Sequence, residues 1–410
     1  MIKTWIKNIG PGPLVAAAFI GPGTVTLCTL AGAGFGYALL WAMLLSVAAT
    51  IVLQETAARL GIVSQRGLSG IIKSELSNPT LKWGAIILIL SAIVIGNAAY
   101  EAGNISGGVL GLEAVFGTVK MEIGTFNLNL YSLLIGIVAF VILYMGNYKI
   151  LERVLIALVV LMSIAFLITA IMTKPDVLGV LKGAFIPKFP QDSILIVIGL
   201  IGTTVVPYNL FLHASLVKEK WHSKKDLRYA RIDTVLAVFL GGLVSMCIII
   251  AAAALPSDQI NNAADLAKGL EPLFGEFSTY FLALGLFAAG ITSAITAPLA
   301  AAFVCCGCLG WSANMKSMTF RAVWIIILLL GVALSSLNLK HIEIIKFAQV
   351  ANGALLPVIA IFLIWLANRS TVLGKHKNSV LMNILSLLIL LVLMILSLAT
   401  FNKVFNLNIF

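Results

Sequence analysis

Gly21-Pro22-Gly23-Thr24 and Gly202-Thr203-Thr204-Val205-Val206-Pro207 are two helix-breaking stretches, and each interrupts a long apolar run near its middle. Roughly half the chain separates them. In the hydrocarbon of a bilayer every backbone N–H and C=O needs a partner, so unwound backbone survives only where it lines a polar cavity. Two interrupted apolar segments in corresponding halves of a chain indicate a binding site near the bilayer midplane, as in secondary transporters.

The composition places the chain in a membrane. Of its 410 residues, 60% are hydrophobic and 10% are charged, and the mean hydropathy is +1.07. This leaves too little polar surface to cover a soluble globule of that size. We therefore predict an all-α polytopic membrane protein whose first and sixth helices are broken. Apolar runs long enough to span a bilayer predict eleven transmembrane helices, at 12–34, 37–61, 83–112, 129–146, 150–173, 193–217, 230–255, 277–307, 320–337, 344–367 and 379–401.

The net charge of +11 is explained by where the cations lie. With the N-terminus in the cytoplasm, 19 of the 27 Lys and Arg residues fall in cytoplasmic segments. The positive-inside rule then predicts a multi-pass protein of the cell membrane with its N-terminus inside and its C-terminus outside. We expect the lipid bilayer as its surroundings and no nucleic-acid partner. The sequence has no nucleotide-binding loop or catalytic motif, so neither enzyme activity nor a cofactor is expected.

The third predicted span carries the densest set of polar residues. Asn97, Tyr100, Glu101 and Asn104 follow i, i+3, i+4, i+7 spacing, which predicts a shared helical face. A carboxyl group in mid-span is costly and can exchange a proton, so Glu101 is a candidate for proton coupling or substrate contact. The alternative is a packing role, in which the carboxyl is hydrogen-bonded to neighbouring helices.

Polar residues also accompany the second break. Thr203, Thr204, Tyr208 and Asn209 lie close to its exposed backbone groups, and His213 follows two turns later. His213 is a candidate proton-linked group because imidazole titrates near neutral pH. The competing interpretation is a packing histidine.

Two later spans add hydroxyl and amide groups. Thr292 and Ser293 of the eighth span could join carbonyls of the first helix around Na⁺, or bond to their own helix backbone. Gln349 and Asn352 of the tenth span are three residues apart and share a face. Half-helix N-termini favour an anion or an acceptor, whereas free carbonyls favour a cation, so the breaks alone do not choose the substrate.

The residues from Pro13 to Gly61, including GPGTVTLCTLAGAGFGYALLW and LQETAARLG, resemble the first two helices of the natural resistance-associated macrophage protein (NRAMP) family. GTTVVPYNLFLHASLV at 202–217 is similar to its sixth helix, and AAGITSAITAPLAA at 288–301 to its eighth. The resemblance covers essentially the whole chain. It implies a LeuT-like fold with one inverted five-helix repeat at 1–173, a second at 193–367, and an eleventh helix at 379–401.

The chain departs from the family pattern at the expected metal ligands. The family carries Asp-Pro-Gly-Asn at the first break, where Asp and Asn ligate Mn²⁺ or Fe²⁺, and this chain has Gly21 and Thr24 there. The family's sixth-helix motif, Ala-Thr-Ile-Met-Pro-His, supplies a thioether, but Val206 and Tyr208 replace its Met and His. The family's acidic proton-path positions fall on Asn97 and Tyr100.

Loss of the buried carboxylate should cost several kcal/mol in binding a divalent ion, so no resident metal site is expected. The sequence therefore predicts a secondary transporter for a small polar or anionic organic solute, such as an amino acid or a carboxylate, working by alternating access. The coupling ion would be H⁺, through Glu101 or His213, or Na⁺, at Thr292 and Ser293. The predicted substrate-binding residues are Gly21, Gly23, Thr24, Asn97, Tyr100, Asn104, Thr203, Thr204, Val206, Tyr208, Asn209, Gln349 and Asn352.

The alternative keeps the substrate class of the family. A divalent cation would enter partly hydrated and be held by Thr, Asn and Tyr oxygens and by free carbonyls. Glu101 would then replace the lost aspartate. Transport would be proton-linked or uncoupled.

Overall fold

The computed structural model describes residues 10–12, 20–123, 126–146, 149–255, 260, 262–337 and 339–405. It is built almost entirely from helices, joined by short connections. The helices are α1 Pro22–Phe35, α2 Leu40–Ser64, α3 Leu68–Glu75, α4 Pro79–Phe116, α5 Leu130–Met145, α6 Lys149–Met172, α7 Val177–Phe185, α8 Ile194–Thr204, α9 Pro207–Lys220, α10 Leu227–Ala252, α11 Ala263–Ala267, α12 Glu271–Phe274, α13 Ser278–Leu309, α14 Met318–Ser335, α15 His341–Ala367, α16 Ser370–Leu373 and α17 Val380–Phe405.

The long helices follow the predicted spans. Within the described ranges, eight helical runs are long and apolar enough to cross a membrane. Helices α6 and α7 together would make a ninth span that is bent between them. Helix α5 is apolar but has only 16 residues. Residues 13–19, in the first predicted span, lie outside the described residues. Helix therefore occurs in each predicted span, while the number of eleven crossings stays a prediction.

The second helix break is shorter than the sequence predicts. Helix α8 continues through Thr204, and only Val205 and Val206 are non-helical before α9 begins at Pro207. Proline has no N–H to donate and suits the first position of a helix, so α9 starts there. At the first break Gly21 is extended, and α1 likewise begins at a proline, Pro22. Thr203 and Thr204 thus belong to helix, not to the break itself.

Several elements lie between the long helices where the sequence predicts only connections. Helix α3 follows α2, and α7 lies in the predicted loop 174–192 at 119° to α6. Strands β1 Lys120–Ile123 and β2 Phe126–Asn129 pair as an antiparallel hairpin, a small addition to a fold predicted as all-α. Asn129 also caps α5, since its side chain accepts from the backbone N–H of Tyr131 and Ser132. These segments are too short for a span-length hydropathy pattern to detect.

Glycines allow the central helices to approach at backbone distance. A methyl group added at Gly202 of α8 would lie 1.9 Å from the Gln349 carbonyl oxygen of α15. One added at Gly107 of α4 would lie 2.0 Å from the Pro22 side chain at the start of α1. Such contacts are typical of membrane helices, which pack through small residues. They bring α1, α4, α8 and α15 together around the two breaks.

A buried arginine ties the C-terminal part of the chain to α2. Arg59 is only 3% exposed and lies 3.2 Å from Glu55. Its guanidinium also donates to the His376 carbonyl at 2.9 Å and to Asn378 Oδ1 at 2.6 Å. Glu55 forms a second ion pair with Arg231 of α10, at 2.8 Å. The Glu55–Arg59 ion pair is thus part of a larger network at one end of the bundle.

Candidate functional site

The two broken helices meet at a pair of threonine hydroxyls. Thr24 Oγ1 and Thr203 Oγ1 are 2.8 Å apart, although 179 positions separate them in the chain. Both side chains are fully buried. Thr24 lies in the first turn of α1 and Thr203 in the last turn of α8, so the hydroxyl pair joins the end of one half-helix to the start of the other.

Two further side chains lie against the glycines of the first break. A methyl group at Gly21 would be 3.1 Å from Ser293 Oγ of α13, and one at Gly23 would be 2.2 Å from Gln349 Nε2 of α15. No hydrogen bond is made within the described residues by Ser293 Oγ or Gln349 Oε1, and both atoms are buried. The absence of side chains at Gly21 and Gly23 therefore leaves room for polar groups of neighbouring helices.

The end of α8 brings backbone carbonyls to the same junction. The last four carbonyls of a helix have no partner within it. Of those in α8, the Ile201 carbonyl accepts from the N–H of Val205 at 2.8 Å. The carbonyls of Gly202, Thr203 and Thr204 follow it. Pro207, at the start of α9, has no N–H to donate to them. The Thr204 hydroxyl is occupied differently, since it donates to the Leu200 carbonyl at 2.8 Å.

The first turn of α9 presents Tyr208 and Asn209. Tyr208 packs edge-on against Tyr100 of α4, with ring centroids 5.4 Å apart. The Asn209 amide is buried, and neither its oxygen nor its nitrogen has a hydrogen-bond partner within the described residues. A buried amide that leaves both groups unpaired carries a desolvation cost, which a bound ligand or water would remove.

The polar residues of α4 do not all face one neighbour. Asn97 donates to the Ala297 carbonyl of α13 at 3.1 Å, whereas Tyr100 packs on α9. Glu101 accepts from Asn104 at 3.3 Å and contacts Gly331 of α14. The four residues of the predicted face therefore contact different helices, because residues at this spacing still spread over about 100° of the helix surface. Glu101 lies beside α14 and not beside Gly21.

Asn352 of α15 lies against Gly96 of α4. Its Oδ1 would be 3.4 Å from a methyl group at Gly96, and its Nδ2 is buried with no partner among the described residues. Gln349, one turn earlier, reaches Gly23 instead. The two amides of α15 thus face α4 and α1 respectively.

His213 is paired with a residue that the sequence does not single out. Its Nδ1 lies 2.7 Å from Gln54 Oε1 of α2, and both side chains are buried. Gln54 stands in the LQETAARLG run, where a polar amide within an apolar span is the available signal. Thr292 follows the backbone-bonding alternative, since its hydroxyl donates to Ala288 at 2.8 Å.

Asp233 of α10 is a second residue that sequence patterns do not identify. Its carboxylate accepts from the N–H of Gly10 at 3.0 Å and from that of Gly12 at 2.7 Å. Trp221 packs on Gly10 as well. The start of the first predicted span is therefore held to α10 by backbone donors, which leave no side-chain signature.

The donor set at the junction is neutral. In the part of the chain that the structure describes, no group of three or more His, Cys, Asp or Glu side chains could hold a metal ion. The groups that converge on the breaks are hydroxyls, amides and carbonyls. Such oxygens suit hard cations that keep part of their hydration shell.

Comparisons with known proteins agree with this architecture. A family model described as natural resistance-associated macrophage protein-like matches residues 12–402. A relative from Caldanaerobacter subterraneus, named divalent metal cation transporter MntH, is 26% identical over 402 residues, covering 95% of this chain and 91% of its own. The crystal structure of a mutant manganese transporter from Eremococcus coleocola has a TM-score of 0.78 at 22% identity, covering 99% of this chain and 89% of its own.

The fold likeness extends beyond metal transporters. The crystal structure of MhsT in complex with L-phenylalanine matches with a TM-score of 0.61 at 17% identity, covering 95% of this chain and 97% of its own. The fold is LeuT-like, as predicted. The expected organic substrate is wrong, however, because the relatives that match at the sequence level are named for divalent metal cations. The loss of the carboxylate and the thioether concerns two positions, whereas the similarity to these relatives extends over nearly the whole chain.

Proposed function

The chain belongs to the NRAMP family, and from that premise we propose that it carries divalent metal cations across the membrane by alternating access. It is a multi-pass membrane transporter. The relative from Caldanaerobacter is named a divalent metal cation transporter, and the match covers nearly the full length of both chains. This chain differs from the family pattern in the residues that would ligate the metal. Transport of a divalent cation therefore requires a site of neutral ligands that can hold such an ion.

The observation that carries the proposal is a set of buried oxygens without partners around the junction of α1, α8, α13 and α15. Ser293 Oγ lies against Gly21, and the Gln349 side chain lies against Gly23 through its Nε2. Neither Ser293 Oγ nor Gln349 Oε1 makes a hydrogen bond within the described residues. The carbonyls at the end of α8 add the negative end of a helix dipole. A cation bound there would satisfy groups that are otherwise costly to bury.

A neutral site also sets the kind of ion binding that we propose. Mg²⁺ and similar hard ions dehydrate reluctantly and are bound with several waters retained. An ion that keeps some waters needs fewer protein oxygens and less compensating charge. We therefore propose weak binding of partly hydrated divalent ions, with little preference for transition metals, because the soft thioether and the carboxylate are replaced by Val206 and Gly21.

We propose H⁺ as the coupling ion and Glu101 as the group that takes it up. Glu101 is fully buried, and no other Asp or Glu whose burial the structure describes is buried. It forms no ion pair in the described part of the chain, and its Oε1 has no hydrogen-bond partner there. Ionisable groups in such positions mark proton paths in membrane transporters. Na⁺ at Ser293 is the competing coupling ion.

The location and the repeat structure are part of the proposal. We place the chain in the plasma membrane, as bacterial relatives named MntH suggest. The N-terminus would be cytoplasmic and the C-terminus outside, since this orientation puts most cations inside. The inverted repeats would comprise residues 1–173 and 193–367, with α17 as the eleventh span.

Two adjacent hydroxyls of α13 provide the test. The protein is reconstituted into proteoliposomes, and uptake of Mn²⁺, Mg²⁺ and Ca²⁺ is measured under imposed H⁺ or Na⁺ gradients. We expect saturable uptake of divalent ions driven by H⁺. Ser293→Ala should raise KM about tenfold, the effect of losing about 1.4 kcal/mol of binding free energy. Thr292→Ala is the matched control, because its hydroxyl is bound to its own helix.

The results separate the possibilities. Equal KM values for the two variants would reject the proposed ion site. An absence of saturable uptake for every divalent ion tested would reject metal transport. Accumulation driven by Na⁺ but not by H⁺ would reject proton coupling and favour Na⁺ at Ser293.

A further inference from the structure

An apolar groove of about 540 Å³ opens on the side of the bundle between α2, α7 and α17. Its walls include Trp41 and Ala48 of α2, Phe185 of α7 and Ile395 of α17. Its volume lies in the range of about 300–1,000 Å³ that is typical of small-molecule sites. Because α2 and α17 are membrane spans, the groove faces the acyl chains of the bilayer and not water.

The position of α7 sets one end of the groove at the membrane interface. This helix lies at 119° to α6. Its apolar residues Val177, Leu178 and Phe185 are 68%, 59% and 70% exposed. A short helix that turns aside from a span and exposes apolar side chains has the properties of an interfacial helix. It is held to the start of α2 by Gly183, where a methyl group would be 2.1 Å from the Tyr37 carbonyl oxygen.

Two lysines are close in sequence to the residues that line this end of the groove, Ala184 and Phe185 on one side and Pro187 and Phe189 on the other. Lys182 of α7 and Lys188 are exposed and form no ion pair within the described residues. The Lys188 carbonyl accepts from Trp41 Nε1 at 3.0 Å, which fixes this lysine beside the groove wall. The nearby Asp192 is paired with Lys403 at 2.8 Å. Two lysines beside an apolar groove are complementary to a phosphate attached to an acyl chain.

The inner end of the groove approaches the second helix break. A smaller cavity shares Leu45 and Val392 with the groove and reaches Ile201 of α8. The Ile201 carbonyl accepts from the N–H of Val205, the first residue of the break. The inner end of the groove therefore lies close to α8, although the groove itself ends at Leu45 and Val392.

We propose that this groove binds one anionic phospholipid, with an acyl chain between α2 and α17 and the phosphate near Lys182 and Lys188. This site is separate from the ion site, and its occupation does not require that the protein transport a metal.

The test measures lipid retention by the full-length protein in the absence of divalent ions. Purified protein is mixed with phosphatidylglycerol or phosphatidylcholine of the same acyl chains, and bound lipid is counted by native mass spectrometry. We expect one phosphatidylglycerol per chain and little phosphatidylcholine. Ala48→Trp fills the groove and should reduce retention about tenfold, equivalent to about 1.4 kcal/mol. Ala157→Trp is the matched control, since Ala157 is exposed on α6, away from the groove.

A second variant tests the headgroup without altering the packing. Lys182→Gln combined with Lys188→Gln should remove the preference for phosphatidylglycerol, while Lys316→Gln, an exposed cation elsewhere, should leave it unchanged. Equal retention of the two lipids by the unmodified protein would overturn the anionic assignment. Retention unaffected by Ala48→Trp would overturn the groove as the site. So would a protein that holds no phospholipid and dimerises through this face.

Discussion

Thr24 and Thr203 show how side chains distant in sequence define the junction of the broken helices. The sequence indicates that both flank a break, and the structure adds the 2.8 Å contact between their hydroxyls. Glu101 and Val206 illustrate the opposite limit. The sequence marks Glu101 as a candidate for proton coupling or substrate contact and Val206 as the residue in place of the family's methionine, but it gives no direction for either side chain. Glu101 lies beside α14.

Glu101→Gln tests the proposed proton coupling. The amide has nearly the same shape as the carboxyl but takes up no proton at neutral pH. We expect the variant to lose H⁺-driven accumulation of Mn²⁺ while it retains exchange of bound for free Mn²⁺, because exchange needs no net proton movement. Both are measured in proteoliposomes. Glu113→Gln is the control, since Glu113 is partly exposed at the end of α4. Retained H⁺-driven accumulation in Glu101→Gln would contradict the assignment.

Val206→Met tests what the missing thioether does to selectivity. Sulfur ligands favour soft ions, so we expect the ratio of Cd²⁺ to Mg²⁺ uptake to rise about tenfold, equivalent to about 1.4 kcal/mol. Val206 is fully buried, and a larger side chain costs packing energy. Val206→Leu is therefore the control for size without sulfur. If the two variants show the same ratio, a thioether at this position does not choose the ion.

The helices that build the site pack through glycines, and this is visible only in three dimensions. The apolar runs predict where the spans lie, because length and hydropathy are local properties of a sequence. They do not predict α3, α7 or the hairpin at 120–129, whose formation depends on packing against the spans and on caps such as Asn129. They also overestimate the second break, since Gly202 is helical and serves close packing rather than unwinding.

Gly202→Ala tests the packing of α8 on α15. The added methyl group would meet the Gln349 carbonyl oxygen, and backbone cannot move aside as a flexible side chain can. We expect a loss of about 1–3 kcal/mol in stability and a lower Tm in detergent. Gly84→Ala is the control, because a methyl group there meets nothing within 4 Å, and alanine favours helix by up to about 1 kcal/mol. Equal Tm values for the two variants would contradict the proposed contact.

Contacts between residues far apart in sequence hold the start of the described chain to α10 and the segment before α17 to α2. Asp233 holds Gly10 and Gly12 from 223 and 221 positions away, and Asn378 lies against Arg59 from 319 positions away. Transport by alternating access requires one bundle to move against another. Contacts of this kind, made by a few polar groups at one end of the bundle, are suited to break and re-form during such a movement.

Asp233→Ala tests the anchor at the start of the chain. Hydrogen bonds to a charged group contribute about 1.5–3 kcal/mol each, so their loss should free the backbone at 10–12. We expect faster amide hydrogen exchange in the peptide that contains these residues, measured by mass spectrometry. Asp176→Ala is the control, because Asp176 caps only its own helix α7. Exchange at 10–12 that is equally slow in both variants would contradict the anchor.

The contacts of Arg59 have a consequence for biosynthesis. The ribosome makes α2 early, but the Asn378 and His376 acceptors of its guanidinium emerge more than 300 residues later. Until then the nascent chain holds a cation in a largely apolar bundle with Glu55 as its nearby counter-charge. The final folding of α2 must therefore wait for translation of nearly the entire polypeptide. A premature stop before His376 would leave that cation exposed to quality-control proteases instead of yielding a shorter, working protein.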